Sequence, residues 1–380
     1  MNSIELLEYF QENIDEITNA IKEIVEIESP SYDVGQSRKV VDLIKKNAEE
    51  ILPEAKTERI FRENYGEHLL IRAFENPDKK PVLVLGHTDT VHPVGTGERN
   101  PTRIENGKLY GCGTFDMKAN IALLLEVFKT IKKFGLNLRL PVNVLLSCDE
   151  EIGSNTGREL VEREAAKSAY CYVLEPSANG KVKTGRKGTG NYFLKTIGIP
   201  SHAGLEPEKG ASAILEIAKQ IEKLHKLNDF EKGTTVTVGT IRGGTATNVV
   251  PAETICSIDV RFETIKEAQR IEQELNSLDS FDKRVSLELT GEINRPPLER
   301  TGKVLELFRK ARKAAETFEY KLEETQVGGA SDGNFVGALG IPVLDGLGIA
   351  GNGAHTLKEF IFVDDIPKRA TLLTLLLADI

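Results

Sequence analysis

The sequence predicts an α/β protein in which a sheet domain, assembled from both ends of the chain, is interrupted by an inserted α+β domain of ferredoxin-like order. Three observations carry this expectation. Apolar runs of strand length, Pro81-Val82-Leu83-Val84-Leu85-Gly86, Val142-Asn143-Val144-Leu145-Leu146 and Ala169-Tyr170-Cys171-Tyr172-Val173-Leu174, have the texture of strands buried on both faces. Between about Lys183 and Arg295 the order becomes β-α-β-β-α-β, that of a split βαβ unit. Beyond Pro296-Pro297 the first texture returns, and 380 residues suit two domains. The expected division is 1–182 with 296–380, and 183–295.

Taken in order, residues 3 to 52 read as helix. Ile17, Ile21, Ile24 and Val25 keep a helical period, and Val40, Val41, Ile44 and Ala48 resume it after the Ser29-Pro30-Ser31 break. The first apolar run ends at His87-Thr88-Asp89. Gly111-Cys112-Gly113-Thr114-Phe115-Asp116 then leads into a helix from Met117 to about Phe134, which places Asp116 at or just before a helix N-terminus. The second run ends at Asp149-Glu150-Glu151 and the third at Glu175-Pro176. In the insert, strands are expected at Asn191 to Gly198, Thr234 to Arg242, Glu253 to Glu263 and Val285 to Gly291, with helices at Ala211 to Leu227 and Ile265 to Leu278. The last part predicts a helix from Lys303 to about Thr317, the run Ile341-Pro342-Val343-Leu344, a Gly-rich loop ending at Ala354-His355-Thr356, and a closing helix from about Asp365 to Ala378.

Composition bounds the partners. Hydrophobic content of 40% and charged content of 28% are those of a soluble globular protein. Fifty-eight acidic against 49 basic residues gives a net charge of -9, which disfavours nucleic acid and anionic membranes as partners. The N-terminus has no apolar core of a leader and no segment reaches membrane-spanning length, so a cytoplasmic location is expected. Cys112, Cys148, Cys171 and Cys256 show no CxxC spacing, so buried thiols are expected rather than disulfides or a thiolate zinc knuckle.

The chemistry is concentrated where the apolar runs end, which is where open α/β sheets place their sites. Three adjacent carboxylates, Asp149-Glu150-Glu151, repel one another unless solvated, paired or bound to a cation. Singly, each strand-end group is more often a polar residue satisfied by its neighbours, and an acidic pair after a strand is usually a solvated turn. Together, His87, Asp116, Glu151, Glu175 and His355 form the mixed nitrogen and oxygen set that suits a pair of zinc ions, with cobalt or manganese as substitutes. One carboxylate can bridge metals about 3.5 to 4 Å apart, with a hydroxide completing both shells.

His87-Thr88-Asp89, Asp116-Met117-Lys118, Asp149-Glu150-Glu151-Ile152-Gly153-Ser154, Glu175-Pro176-Ser177, Ser201-His202-Ala203-Gly204 and His355 resemble, in order, the motifs of the two-zinc peptidase family that includes glutamate carboxypeptidase, aminoacylase and succinyl-diaminopimelate desuccinylase. The likeness covers nearly the whole chain. Thr247-Asn248-Val249-Val250-Pro251, Asp259-Val260-Arg261-Phe262 and Gly328-Gly329-Ala330-Ser331-Asp332 incline it toward the bacterial glutamate carboxypeptidases. The resemblance implies a mixed-sheet two-zinc exopeptidase catalytic domain with an inserted ferredoxin-like domain that pairs two subunits and acts as a lid. It makes Asp116 the bridging ligand, His87 and Glu175 the remaining ligands of one zinc, and Glu151 and His355 those of the other. Glu150 would be the general base, and Asp89 would orient His87. His202 would reach into a partner's site to stabilise the oxyanion, and Asn248, Arg261 and Arg295 would bind the substrate's terminal carboxylate.

Each residue has a plainer reading. His202 could be a surface-loop histidine before a helix, Arg261 an exposed strand charge, and Arg186-Lys187 either a second carboxylate site or a solvated turn. Cys112 stands where many relatives carry Arg, and Asn120 where a small residue is common; neither change removes a ligand. The expected reaction is amide hydrolysis that releases a C-terminal amino acid, with glutamate the first guess. Within the same class stands an N-acyl amino acid deacylase or a succinyl-diaminopimelate desuccinylase-like amidohydrolase. A silent dimeric binding protein on this fold predicts a lost base or ligand, and none is lost.

Overall fold

The computed structural model describes residues 1–378. It divides into two compact units, one of Met1–Gly185, Arg300–Val327 and Ser331 onward, the other of Arg186–Glu299 with Gly328–Ala330.

The first unit is built on a six-stranded mixed sheet. Its strand order is Lys56–Arg62, Gly66–Ala73, Val142–Ser147, Val82–His87, Tyr170–Val173 and Val343–Leu344. The last four strands run parallel, while the first two are antiparallel to each other and Gly66–Ala73 is antiparallel to Val142–Ser147. Every residue of Val82–His87 and Val142–Ser147 is buried, the reason their sequences show no polar alternation. Parallel register pairs His87 with Ser147, so the two strands end side by side and deliver His87 and the Asp149-Glu150-Glu151 turn to one edge.

The helices Ser3–Glu12, Ile14–Val25, Val34–Ile51, Ala119–Phe134 and Ile366–Leu377 bury their apolar faces in one core with this sheet. Their starts are fixed locally where a cap is present: Asn2 forms a capping box with Glu5, and the Asp33 side chain accepts the Gln36 N–H. The helix expected from Met117 begins instead at Ala119. Asp116 and Met117 have non-helical backbone angles, φ −121° with ψ 91° and φ −137° with ψ 27°. The physical reason lies outside the segment: the N–H groups of Phe115 and Asp116 donate to the Glu359 carboxylate, which holds this turn open.

The second unit is a four-stranded antiparallel sheet in the order Thr235–Gly243, Glu253–Phe262, Gly188–Ile197, Ser286–Arg295, with helices Ala213–His225 and Ile265–Asn276. In chain order this is a β-α-β-β-α-β unit. Tyr192, Leu194, Ile258, Val260 and Phe262 line the inner sheet face and pack with Ile217, Leu224, Ala268, Ile271 and Leu275 from the helices. Ser212 and Thr264 cap these helices by accepting the N–H groups of Leu215 and Glu267. All four cysteines are reduced and buried.

Candidate metal centre

Five groups collected from distant parts of the first unit converge. His87 Nε2 lies 3.2 Å from Asp116 Oδ1 and 3.4 Å from Glu175 Oε1. His355 Nε2 lies 3.6 Å from Asp116 Oδ2 and 3.0 Å from Glu151 Oε2. Asp116 thus turns one oxygen to each imidazole. The ligand atoms of His87, Asp116 and Glu175 lie within 4.8 Å of one another, as do those of Asp116, Glu151 and His355. Two histidines and three carboxylates arranged as two sets that share Asp116 fit a pair of borderline divalent cations in size and donor type.

The electrostatics of the set are those of imidazoles and carboxylates packed against one another. Burial works to raise the Asp116 carboxyl, but His355 and His87 override it and hold it well below the usual carboxylate range. Burial works against the His87 imidazolium, yet Asp116, Asp89 and Glu175 raise it well above its ordinary value. Contacts with Asp116 and Glu151 push His355 up to about 10. Burial raises Glu151, with His355 opposing.

Asp89 ties the elements together. The His87 Nδ1 edge faces the Asp89 backbone oxygen at 3.0 Å and its Oδ1 at 3.4 Å, so Nδ1–H donates there and Nε2 is the nitrogen turned into the site. The same carboxylate accepts the N–H groups of Glu150 and Glu151 at 3.2 and 3.1 Å, and the Ser31 hydroxyl at 2.7 Å. One buried side chain therefore fixes the first imidazole and the turn that carries both glutamates.

The third member of that turn faces away from the set. Asp149 accepts the N–H groups of Thr156 and Gly157 and the Thr156 hydroxyl, and burial raises its carboxyl to about 6. Gly157 leaves room for it, since a Cβ there would meet Asp149 Oδ1 at 2.8 Å. His68, Cys148 and Asp149 are also clustered closely enough to suggest a cation site. The imidazole argues against one: Nδ1 accepts the Cys148 N–H at 3.3 Å, and Nε2 lies 2.9 Å from the Thr156 hydroxyl, which leaves no lone pair for a metal.

In the second unit, His202 and Asn248 stand on adjoining exposed loops, joined by a bridge between His202 and Val249 and by the Ala203 N–H donating to the Asn248 carbonyl. His202 Nδ1 accepts the Gly204 N–H at 3.1 Å, so the donor of its neutral ring is Nε2. Arg261 and Arg295 both pair with Thr189 of the central strand, which puts them in one row on one face of the sheet. Arg295 is buried, whereas Arg261 is half-exposed and held by Asp259 through Nε and Nη2 at 2.9 to 3.1 Å. Arg186 is buried, with Nη1 donating to the carbonyls of Gly329 and Ala330, so it is not a solvated turn residue.

Both departures from the family pattern have structural partners. Cys112 contacts His92, and its sulfur accepts from Asn100 Nδ2 at 3.7 Å; it belongs to no metal-capable set among the described residues. Asn120 is fully buried, and its Oδ1 accepts the Ile349 N–H at 2.9 Å on the loop that leads to His355. Gly348 accommodates it, because a Cβ there would sit 2.3 Å from Asn120 Nδ2.

Sequence reading missed Glu359, His92 and His68, all buried, and the buried ammonium of Lys118. Lys118 directly follows the noted Asp116-Met117 pair, but its depressed value of about 8, caused by burial, has no sequence signature. Asp332, the last residue of Gly328-Gly329-Ala330-Ser331-Asp332, accepts the Ser147 and Ser154 hydroxyls at the two ends of the glutamate turn.

The family model described as "Peptidase family M20/M25/M40" matches residues 83–379. Carboxypeptidase G2 of Pseudomonas sp. (strain RS-16) is 28% identical over 310 residues, 79% of this chain and 74% of the relative. Succinyl-diaminopimelate desuccinylase of Hahella chejuensis is 30% identical over 314 residues, 77% of this chain and 80% of the relative. Among solved structures, aminopeptidase PepT from Bacillus cereus superimposes with a TM-score of 0.78 at 22% identity, covering 96% of this chain and 98% of that one. A metallo-carboxypeptidase from Sulfolobus solfataricus gives 0.71 at 18% identity, covering 95% and 99%. At such identities these structures speak to the fold alone, whereas the family model spans most of the sequence: the chain belongs to peptidase family M20/M25/M40 and is a metal-dependent peptidase or amidohydrolase.

Proposed function

We propose that the chain hydrolyses an amide bond to release a C-terminal amino acid, glutamate being the first candidate, with two zinc ions per subunit. The observation that carries the reading is the Asp116 carboxylate, with Oδ1 toward His87 and Oδ2 toward His355. His87, Asp116 and Glu175 would hold one ion, and Asp116, Glu151 and His355 the other; Co2+ or Mn2+ could replace zinc. When bound, the ions supply Lewis-acid polarisation of the scissile carbonyl and acidify water.

The chain's own residues do the rest. Glu150, beside the ligand Glu151, accepts the proton and delivers it to the leaving amine. Asp89 keeps the two glutamates and His87 in register through the hydrogen bonds it accepts. His202 donates from Nε2 to the developing oxyanion across a homodimer. Asn248, Arg261 and Arg295 take the terminal carboxylate, with a substrate oxygen competing against Asp259 for Arg261. The predicted cytoplasmic location and the inserted unit as dimerisation domain and lid belong to the same reading.

Glu150→Ala tests the mechanism: it should keep both metals and lose turnover. Near-normal activity at full metal loading would refute the assignment. Mixed dimers of Glu150→Ala and His202→Ala chains should recover activity if His202 serves its partner. The deacylase or desuccinylase reading is favoured by the 30% identity to the Hahella chejuensis enzyme. Comparing glutamate release from N-acylglutamates with acetate or succinate release from other N-acyl amino acids separates the two.

A further inference from the structure

Four residues beyond His355 lies a carboxylate that the proposed chemistry does not use. Glu359 is 1% exposed and satisfied by four donors. Its Oε1 accepts the N–H groups of Phe115 at 2.8 Å and Asp116 at 2.9 Å. Its Oε2 accepts the Gly113 N–H at 2.9 Å and faces His92 Nε2 at 3.0 Å. Three of these donors are backbone groups of the irregular turn that carries Asp116. That turn has no intact helical ladder to absorb them, and buried N–H groups require an acceptor.

The placement is asymmetric between the two ligand sets. His87 and Glu175 stand at the ends of the buried strands Val82–His87 and Tyr170–Val173. His355 has no such support: it sits between the two-residue strand Gly351–Asn352 and the strand Phe360–Phe362, at φ 64°, with its side chain 53% exposed. Glu359 is the buried point at which this loop is fastened to the backbone of Asp116, supplemented by the Gly111 N–H on the Glu359 carbonyl at 3.4 Å.

We infer that Glu359 is the positioning residue of the second metal pocket, fixing the Asp116 turn and the His355 loop to each other at the spacing a cation needs. His92, held between Glu359 and Cys112, orients that carboxylate from the far side. The inference rests on the two-metal reading above and concerns how the Asp116–Glu151–His355 set is preorganised before any ion arrives. Supporting groups of this kind typically change metal affinity by roughly 10–100-fold.

The test is equilibrium dialysis of the full chain against Zn2+ with metal analysis, and Co2+ absorption as an independent readout of ligand geometry. Wild type should bind two ions. Glu359→Ala should bind the second ion at least about tenfold more weakly and weaken the first, which shares Asp116 but not His355, clearly less, with an altered Co2+ spectrum. Glu359→Gln, which retains one acceptor oxygen and the side-chain shape, should show a smaller loss at the same site; it serves as the test if the alanine variant fails to fold. Two ions at wild-type affinity, or equal weakening of both, would overturn the inference. A wild-type chain that binds fewer than two ions would instead refute the two-metal reading on which it stands.

Discussion

His87 and His355 each turn Nε2 toward carboxylates, and both are shifted so as to keep a proton in the metal-free chain at neutral pH. A cation needs those lone pairs, so binding must expel the protons, about two per chain at pH 7. Affinity should therefore rise with pH through the neutral range. Calorimetric titration in buffers of different ionisation enthalpy counts the protons, and a count of zero would contradict the ligand assignment. His92 makes a separate prediction. Contacts with Cys112 and Glu359 raise it to about 9. A histidine raised in the fold contributes stability that is complete below its unfolded value, about 6.5, and is lost as pH rises through about 9. The difference in unfolding free energy between wild type and His92→Gln should shrink across that window, both being measured at constant metal content.

The Ser147 to Ser154 turn is held by buried carboxylates on three sides: Asp89 on the backbone of Glu150 and Glu151, Asp149 on the segment after it, and Asp332 on the serine hydroxyls at both ends. Hydrogen bonds to charged groups contribute about 1.5–3 kcal/mol each, so Asp332→Ala should lower stability in urea unfolding by roughly 2–3 kcal/mol. It should also cut turnover through disorder of Glu150; an unchanged midpoint would show that the clamp does no such work. This level of structure was only partly legible in the sequence. The strand ends at His87, Glu151 and Glu175 could be read because a buried parallel strand is a continuous apolar run that stops where the site begins. Lys56–Arg62 could not, since an edge strand rich in charge has no such pattern. The turn at Asp116 looks like a helix start in sequence because the residue that opens it, Glu359, is more than two hundred positions away. Glu359 and His92 were invisible for the same reason: each is defined by long-range partners rather than by local spacing.

At the scale of the molecule, the net charge of -9 is less telling than the crowding of Asp116, Glu151, Glu175, Asp89 and Glu150 in one place. Two divalent cations would offset this repulsion, and ligands that bind only the folded state stabilise it by about 2.7 kcal/mol when present at 100 times their dissociation constant. The stabilisation should be local. The sheet of the second unit is closed by its own apolar core and contains none of the five ligand candidates, so its amides between 188 and 295 depend on contacts that metal does not touch. The glutamate turn and the His355 loop, by contrast, supply ligand candidates of one set, with Glu151 Oε2 3.0 Å from His355 Nε2. Chelation should therefore raise hydrogen exchange first within 147–154 and 351–358, then in the ends of the adjoining strands, while the 188–295 sheet keeps its protection. A uniform increase over the whole chain would mean that metal governs global stability rather than this one edge of the sheet. No change anywhere would mean that the carboxylates tolerate one another without cations, and the reading of these five residues as a metal centre would fall.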